Sequence, residues 1–207
     1  MGIEKYDDLT PMHIDVLQEV GNIGSGNAAA ALSNLISKNV EIDLPKVQIV
    51  GFQEAIDQAG GAERVAAGVL SRMVGNIEGM ILLLIDRNFI NVVIGSFLDR
   101  KVLNLLQLGE TEISALSEVG NIMGGAYVSA IGTLTGIEAA LEAPVLQVDM
   151  IGALMSLPVV ELGEVGEKIL YIDKQLRIDG HEMNAKLLMI PALGSLEKIM
   201  KKLGLDT

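Results

Sequence analysis

The chain has 207 residues, of which 50% are hydrophobic and 20% are charged, a balance typical of a folded globular protein rather than a disordered one. Its formal net charge of -12 argues against a general basic surface for nucleic acid or anionic membrane. It contains no cysteine, which excludes disulfides, thiolate nucleophiles and metal sites built on sulfur.

The N-terminal stretch lacks the apolar segment of a signal peptide, and no run of about 20 apolar residues predicts a membrane helix. The longest apolar candidate, residues 80–85, has the length of a buried strand. We therefore expect a soluble, cytoplasmic protein with no nucleic-acid partner and no membrane insertion.

The first half of the chain predicts a helix, a strand, a hairpin and a second helix. Thr10 followed by Pro11 is typical of an N-cap with proline at the first helical position, and it begins a long helix. The later elements are an extended segment (47–50), a β-hairpin around Gly75-Asn76 (65–74 and 77–85) and a closing helix (88–98).

The second half repeats the first. A shift of 99 positions aligns the segment from Leu17 with the segment from Leu116, and both contain E-V-G-N-I. One register is kept over about 35 residues, which indicates an internal duplication. The same shift pairs Ala31 with Ala130, Leu35 with Leu134, Pro45 with Pro144, and Gln48 with Gln147.

The second copy predicts the same order of elements and an α/β (α+β) fold. Its elements are a helix after an acidic start (109–112), a strand (146–150), a hairpin around Asp179-Gly180 (169–178 and 183–190) and a closing helix (193–203). We expect a single domain over residues 1–207, made of two repeats at about 10–100 and 109–207. One largely antiparallel sheet of about six strands, covered by helices, would place a pseudo-twofold axis between the repeats.

Each long helix has one polar face. Residues of a helix follow one another at about 100°, so an acidic or hydroxyl residue, a Glu, an Asn and a Gly fall on one side. Solvated surface is the common interpretation of such residues. Here, however, the Glu and the Asn are the same in both copies, while Gln18 is replaced by Ser117. The two sets are Asp15, Glu19, Asn22 and Gly26, and Ser114, Glu118, Asn121 and Gly125.

The helical glycines need an explanation, because each costs about 0.5 to 1 kcal/mol relative to alanine. We expect Gly21 and Gly120, on the apolar stripe, to let the helix lie close to the sheet. We expect Gly26 and Gly125, on the outward face, to let a partner approach closely. The stripe comprises Ile14, Leu17, Gly21, Gly24 and Ala28 in the first copy, with Ile113, Leu116, Gly120 and Tyr127 inward or flanking in the second.

A carboxylate and a carboxamide include no strong nucleophile, so water would be the attacking group of an enzyme. An Asn side chain can accept from water and donate to a substrate, which would hold the water in line with a phosphorus atom. Glu could act as a base, or pair with a cation on the substrate and fix the Asn; we favour the second role. We expect no metal site, and the unrepeated His13 and His181 are interpreted as incidental.

The spacing D/S-x-x-x-E-x-x-N, present twice inside E-V-G-N-I-x-x-G, resembles the CheC/CheX/FliY phosphatase family of bacterial and archaeal chemotaxis. The resemblance covers nearly the whole chain and is strongest to CheC-type members, because both motifs are intact and we expect no C-terminal flagellar-switch domain.

This resemblance implies hydrolysis of the aspartyl phosphate on the receiver protein CheY. Glu19 and Glu118 would engage a receiver lysine, Asn22 and Asn121 would orient water, and Asp15 and Ser114 would make supporting contacts. The protein would need no cofactor of its own, since Mg²⁺ would belong to CheY. The resemblance also implies the deamidase CheD as a partner, for which residues 136–144 are a candidate surface, and we expect a monomer.

Two alternatives remain at this point. The chain could be a non-catalytic docking or adaptor protein that regulates CheY-P or CheD, or a purely structural duplicated domain. Only the enzyme needs the Asn carboxamide, and only the structural interpretation predicts that replacing Glu and Asn leaves partner binding unchanged.

Overall fold

A computed structural model describes residues 3, 5–43, 45–98, 100–162, 168–173 and 176–205. The first repeat contains α1 (Pro11–Ile36), β1 (Val40–Ile42), β2 (Lys46–Gly51), α2 (Phe52–Gln58), β3 (Val65–Gly75), β4 (Gly79–Ile85) and α3 (Arg87–Leu98). The second contains α4 (Glu110–Thr135), β5 (Ala139–Leu141), β6 (Val145–Met150), α5 (Ile151–Leu162), β7 (Lys168–Asp173), β8 (Leu176–Ile178), β9 (His181–Met183), β10 (Ala185–Pro191) and α6 (Leu193–Lys202).

The duplication is visible in the element bounds. The helix α4 and the strands β5 and β6 each begin and end 99 positions after α1, β1 and β2. Later elements shift further, since β10 begins and ends 106 positions after β4. The second repeat therefore carries extra residues between the start of its second helix and its last strand, and α5 is longer than α2, with 12 residues against 7.

The strands of both repeats share one main sheet, in the order β2-β7-β10-β4-β3. Both β5 and β6 pair with β3, and every strand pair in the described ranges is antiparallel. At the centre, β4 pairs with β10 and Leu82 lies opposite Leu188, its equivalent in the second repeat. A pseudo-twofold axis passes through this pair. The predicted fold class, a mixed α/β domain with a largely antiparallel sheet, is confirmed.

Helices cover both faces of the sheet. Side chains of α1, α3, α4 and α6 form the larger core with one face, which includes Val69 and Leu83. A smaller core joins α2 and α5 to the other face, through Leu82 and Leu154. All residues of β4 are buried, as expected for a central strand with both faces covered.

Two features differ from the prediction. The helices α2 and α5 were not predicted: α2 has only 7 residues and no side-chain cap, and α5 contains Pro158. The prediction that the second hairpin is one pair of long strands is also wrong. The strands β8 and β9 leave the main sheet and join β1 in a three-stranded sheet. Residues 174–175 of that hairpin lie outside the described residues.

The predicted turn at Asp179-Gly180 is present between β8 and β9. Both residues have positive φ, 50° and 78°, as a two-residue hairpin turn requires. The turn contacts the end of α1, because the Asp179 amide donates to the carbonyl of Asn39 at 2.9 Å. The Asp179 carboxylate accepts from Lys38 Nζ at 2.9 Å and from the Asn39 amide at 3.1 Å.

The two motif helices begin with the same capping geometry and different side chains. The Thr10 hydroxyl accepts from the His13 amide, and the Thr10 amide donates to His13 Nδ1 at 3.1 Å. In the second repeat the Gly109 amide donates to Glu112 Oε2 at 3.1 Å, and Arg100 pairs with the same carboxylate. His13 is buried and has this structural role in capping α1.

Candidate functional site

The structure places each predicted set of site residues on one exposed face of a motif helix. In α1, the side chains of Asp15 and Glu19 are exposed and that of Asn22 is half-buried. In α4, Ser114 and Glu118 are exposed and Asn121 is half-buried. Each Asn is thus partly enclosed by the protein, while each Glu is exposed and accessible to a partner.

A glycine one residue before each Asn brings the helix against the sheet. A Cβ built on Gly21 would lie 2.9 Å from Val47 Cγ2, and one on Gly120 would lie 2.3 Å from Val69 Cγ1. Both distances are too short for a real Cβ, so only glycine permits this helix-to-sheet contact. The expectation for Gly21 and Gly120 is met. The close helix-to-sheet contact at each glycine sets the distance between the motif and the sheet.

The outward glycines have the opposite surroundings. A Cβ built on Gly26 or Gly125 would meet nothing within 4 Å. Gly26 is exposed and Gly125 is half-buried, so packing within the chain does not account for glycine at either position. Both lie one helical turn beyond the motif Asn, where a Cβ would project towards an approaching partner.

The apolar stripe departs from its prediction at two positions. Ile113 was expected to be inward or flanking and is 37% exposed, whereas Ile14 at the equivalent position of α1 is half-buried. Gly24 was expected to face the sheet, but it faces the other motif helix: a Cβ there would lie 2.6 Å from the Tyr127 ring.

The buried Tyr127 also joins the two motif helices by a hydrogen bond. Its hydroxyl lies 2.7 Å from Ser25 Oγ, and both residues are buried. Burial raises the pKa of Tyr127, so the phenol stays neutral and able to donate. This contact fixes α1 against α4 beside the exposed motif residues.

In the first repeat the motif Asn is held by two neighbours. Asn22 Nδ2 donates to Glu19 Oε2 at 3.3 Å, and Asn22 Oδ1 accepts from Gln18 Nε2 at 3.1 Å. Gln18 also donates to the Pro45 carbonyl and accepts from the Val47 amide at 3.0 Å. The Asn22 carboxamide is therefore connected through Gln18 to the backbone of β2.

The second repeat lacks this connection. Its residue equivalent to Gln18 is Ser117, whose side chain is shorter. Within the described ranges, neither Asn121 nor Glu118 makes a side-chain hydrogen bond at the distances found in the first repeat. Gln18 was not among the residues predicted for the site. Its spacing of four residues from Asn22 on one helix was the available signal.

Among the described residues, no group of three or more His, Cys, Asp or Glu side chains could hold a metal ion. No helix in the described part of the chain is both long and apolar enough to cross a membrane.

Comparison with known proteins identifies this arrangement. The model of the CheC-like family matches residues 12–49 and 112–146. Each range covers most of a motif helix, α1 or α4, and extends into the strands that follow it. CheY-P phosphatase CheC of Bacillus subtilis (strain 168) is 31% identical over 96% of this chain and 97% of its own length. The flagellar motor switch phosphatase FliY of the same organism is 30% identical over 69% of this chain, but only 37% of its own length.

The fold agrees with these sequence matches. The crystal structure of Thermotoga maritima FliY superposes with a TM-score of 0.73 and 20% identity, covering 95% of this chain and 98% of that one. The similarity to the Bacillus CheC extends over nearly the full length of both proteins. The chain therefore belongs to the CheC-like family.

Proposed function

We propose that the protein is a CheY-P phosphatase that hydrolyses the aspartyl phosphate of a receiver domain. The observation that carries the proposal is the exposed Glu–Asn pair, present on both motif helices of a chain whose full-length relative is named CheY-P phosphatase CheC. The sequence around each pair is E-V-G-N-I in both repeats, although other outward positions differ.

Asn22 and Asn121 are proposed to orient the attacking water. Hydrolysis of an acyl phosphate passes through a loose transition state, so it depends chiefly on positioning the water in line with phosphorus. A carboxamide suits this role because it accepts and donates at once. The half-buried position of each Asn leaves its carboxamide accessible to the substrate.

Glu19 and Glu118 are proposed to pair with the receiver's lysine. Both carboxylates are exposed, and Glu19 also accepts from Asn22 Nδ2 at 3.3 Å. One Glu can therefore bind the partner and orient the Asn in the same complex. Asp15 and Ser114, one turn earlier, would make supporting contacts, and Gly26 and Gly125 would leave room for the receiver surface.

Other parts of the function are expectations from the family resemblance. The protein needs no cofactor of its own, and the Mg²⁺ belongs to the phosphorylated receiver. CheD is a proposed second partner; residues 136–144, the proposed surface, include the short edge segment β5. We further propose that the protein is monomeric and cytoplasmic. A docking protein without turnover is the alternative function.

The test is the decay of phosphorylated CheY in the presence of Mg²⁺, with wild-type protein, Asn22→Ala, Asn121→Ala and the double variant. We expect wild type to accelerate decay and the double variant to lose about 100-fold in kcat, because neither site can position water. Asn34→Ala is the matched control, since it removes an exposed Asn of α1 outside the motif. CheD is added in a parallel series.

Binding is measured separately with CheY loaded with beryllofluoride, a stable mimic of the aspartyl phosphate. The double variant should still bind it. If wild type fails to accelerate decay even with CheD, the docking function replaces the catalytic one. If the double variant keeps its activity, the water-orienting role of the two Asn residues is wrong.

A further inference from the structure

The two motif sites differ in how the Asn side chain is supported. Both sites use a Glu and an Asn three residues apart on helices with equivalent bounds. One difference between the sites is the residue directly before the Glu, which is Gln18 in the first repeat and Ser117 in the second. A substitution directly beside a retained pair changes the site's rigidity without changing its reactive groups.

Gln18 uses its whole carboxamide to connect α1 with the sheet. Its Nε2 donates to the Pro45 carbonyl and to Asn22 Oδ1, the latter at 3.1 Å. Its Oε1 accepts from the Val47 amide at 3.0 Å. The Pro45 carbonyl and the Val47 amide lie on either side of Lys46 and point away from β7. They are available to Gln18 because β2 is an edge strand, with no neighbouring strand on that side. Gln18 is half-buried and anchored at both ends of its amide.

This anchoring determines which way the Asn22 carboxamide faces. With Oδ1 directed to Gln18, the Nδ2 group is directed to Glu19, at 3.3 Å. One lone pair of Oδ1 remains to accept from a water molecule, since a carbonyl oxygen has two. A freely rotating Asn would have to be ordered before each turnover, which costs side-chain entropy.

We propose that Gln18 is a positioning residue that fixes the orientation of Asn22, so that the first site is organised before the partner docks. The second site has no such residue among those described, and Asn121 is ordered only in the complex. This inference rests on the proposed function for its kinetic consequence, while the hydrogen bonding can be tested by itself.

The kinetic experiment uses the Asn121→Ala protein, in which only the first site can act. Adding Gln18→Ala should lower kcat for CheY-P hydrolysis about tenfold and change KM by less than about twofold, because Gln18 orients the Asn and does not bind the receiver. Gln18→Ser, which copies the second site, should do the same. Gln53→Ala, an exposed Gln on α2, is the control.

The structural experiment observes the Asn22 side-chain amide by NMR, with its signal assigned from its absence in Asn22→Ala. In wild type we expect two separate Nδ2 proton signals with slowed exchange. Gln18→Ala should move them towards free-amide positions, whereas Gln53→Ala should not. Thermal unfolding of each variant checks that the fold is retained.

The outcomes are distinct. If wild type does not hydrolyse CheY-P, the proposed function fails, and the NMR signals still decide whether Gln18 orders Asn22. If the signals are unchanged by Gln18→Ala, the positioning role is wrong. If the signals change but kcat does not, or KM alone rises, Gln18 orders Asn22 without a role in hydrolysis, and the kinetic part of the proposal is wrong.

Discussion

The motif helices of the two repeats have the same length and the same spacing in sequence from the strands that follow them. They nevertheless pack against different residues. Under the glycine before each Asn lies Val47 in the first repeat and Val69 in the second. One valine belongs to an edge strand and the other to β3, inside the sheet. The duplication kept the reactive pair and the glycine, while the contacts beneath them diverged.

A second difference lies where α1 and α4 meet. The Tyr127 ring packs over Gly24 and its hydroxyl reaches Ser25. The equivalent of Tyr127 in the first repeat is Ala28, so the interface is not symmetric in its side chains. A repeat can thus preserve the reactive residues on its outer face while its inner face adapts to a different neighbour.

Replacing the inner glycines, Gly21 and Gly120, should destabilise the two repeats by different amounts. Gly120→Ala should destabilise the protein by about 2 kcal/mol, because the new methyl group overlaps Val69 and the helix must move. Gly21→Ala should cost less, about 1 kcal/mol, since its nearest contact is 0.6 Å longer (2.9 against 2.3 Å) and involves one methyl of Val47. Urea unfolding of both variants measures the difference.

The order of these two values is the decisive result. If Gly21→Ala is the more destabilising, the tighter approach in the second repeat is wrong. If both variants match wild type, neither helix depends on glycine to contact the sheet. Because each glycine adjoins the motif Asn, hydrolysis should also fall with stability in Gly120→Ala, through displacement of Asn121.

The elements that local sequence determines were predictable. Thr10 and Pro11 placed the start of α1, and Asp179-Gly180 placed a turn in which both residues have positive φ. The helix α2 was not predictable in this way, because its 7 residues have no side-chain cap and depend on packing against the second face of the sheet.

The same division holds for the site. Helical geometry alone put Glu19 and Asn22 on one face, since their relation is internal to α1. The role of Gln18 depends on the position of Pro45 and Val47, which are distant in sequence. Likewise, the contact of Tyr127 with Gly24 requires knowing how α1 crosses α4, and the pattern of either helix alone does not contain that information.

Replacing the outer glycines, Gly26 and Gly125, should have the opposite effect on stability. Gly26→Ala and Gly125→Ala should each stabilise the protein by about 0.5 to 1 kcal/mol, because alanine favours a helix and its Cβ meets nothing within 4 Å. Each should weaken binding of beryllofluoride-loaded CheY at its own site by at least about threefold, as the methyl group occupies the docking face.

Gly194→Ala is the matched control, because Gly194 is an exposed glycine of α6 whose Cβ would also be unobstructed. It should leave binding of CheY unchanged. Unfolding midpoints and titration calorimetry, with binding at the other site weakened by its Glu→Ala substitution, provide the two measurements. Normal binding by both outer-glycine variants would show that these positions do not contact the receiver.

The smallest effect concerns the β8–β9 hairpin, which joins β1 outside the main sheet, whereas in the first repeat β3 continues in the main sheet up to the turn before β4. The hydrogen bond from Lys38 lowers the pKa of the Asp179 carboxyl, with a smaller contribution from the Asn39 amide. A lowered folded-state pKa means that the ionised carboxylate stabilises the fold above its unfolded pKa of about 3.9, and that this contribution is lost as pH falls through the lowered value.

Asp179→Asn should therefore lower Tm at pH 7 by no more than about 3 °C, and the difference should vanish in acid. Asn tolerates the positive φ of this position, so a change of backbone strain does not enter. Glu63→Gln, at an exposed carboxylate with no hydrogen-bond partner in the described ranges, should show no such difference. An Asp179→Asn deficit that persists at low pH would mean that the carboxylate charge is not what attaches the hairpin to α1.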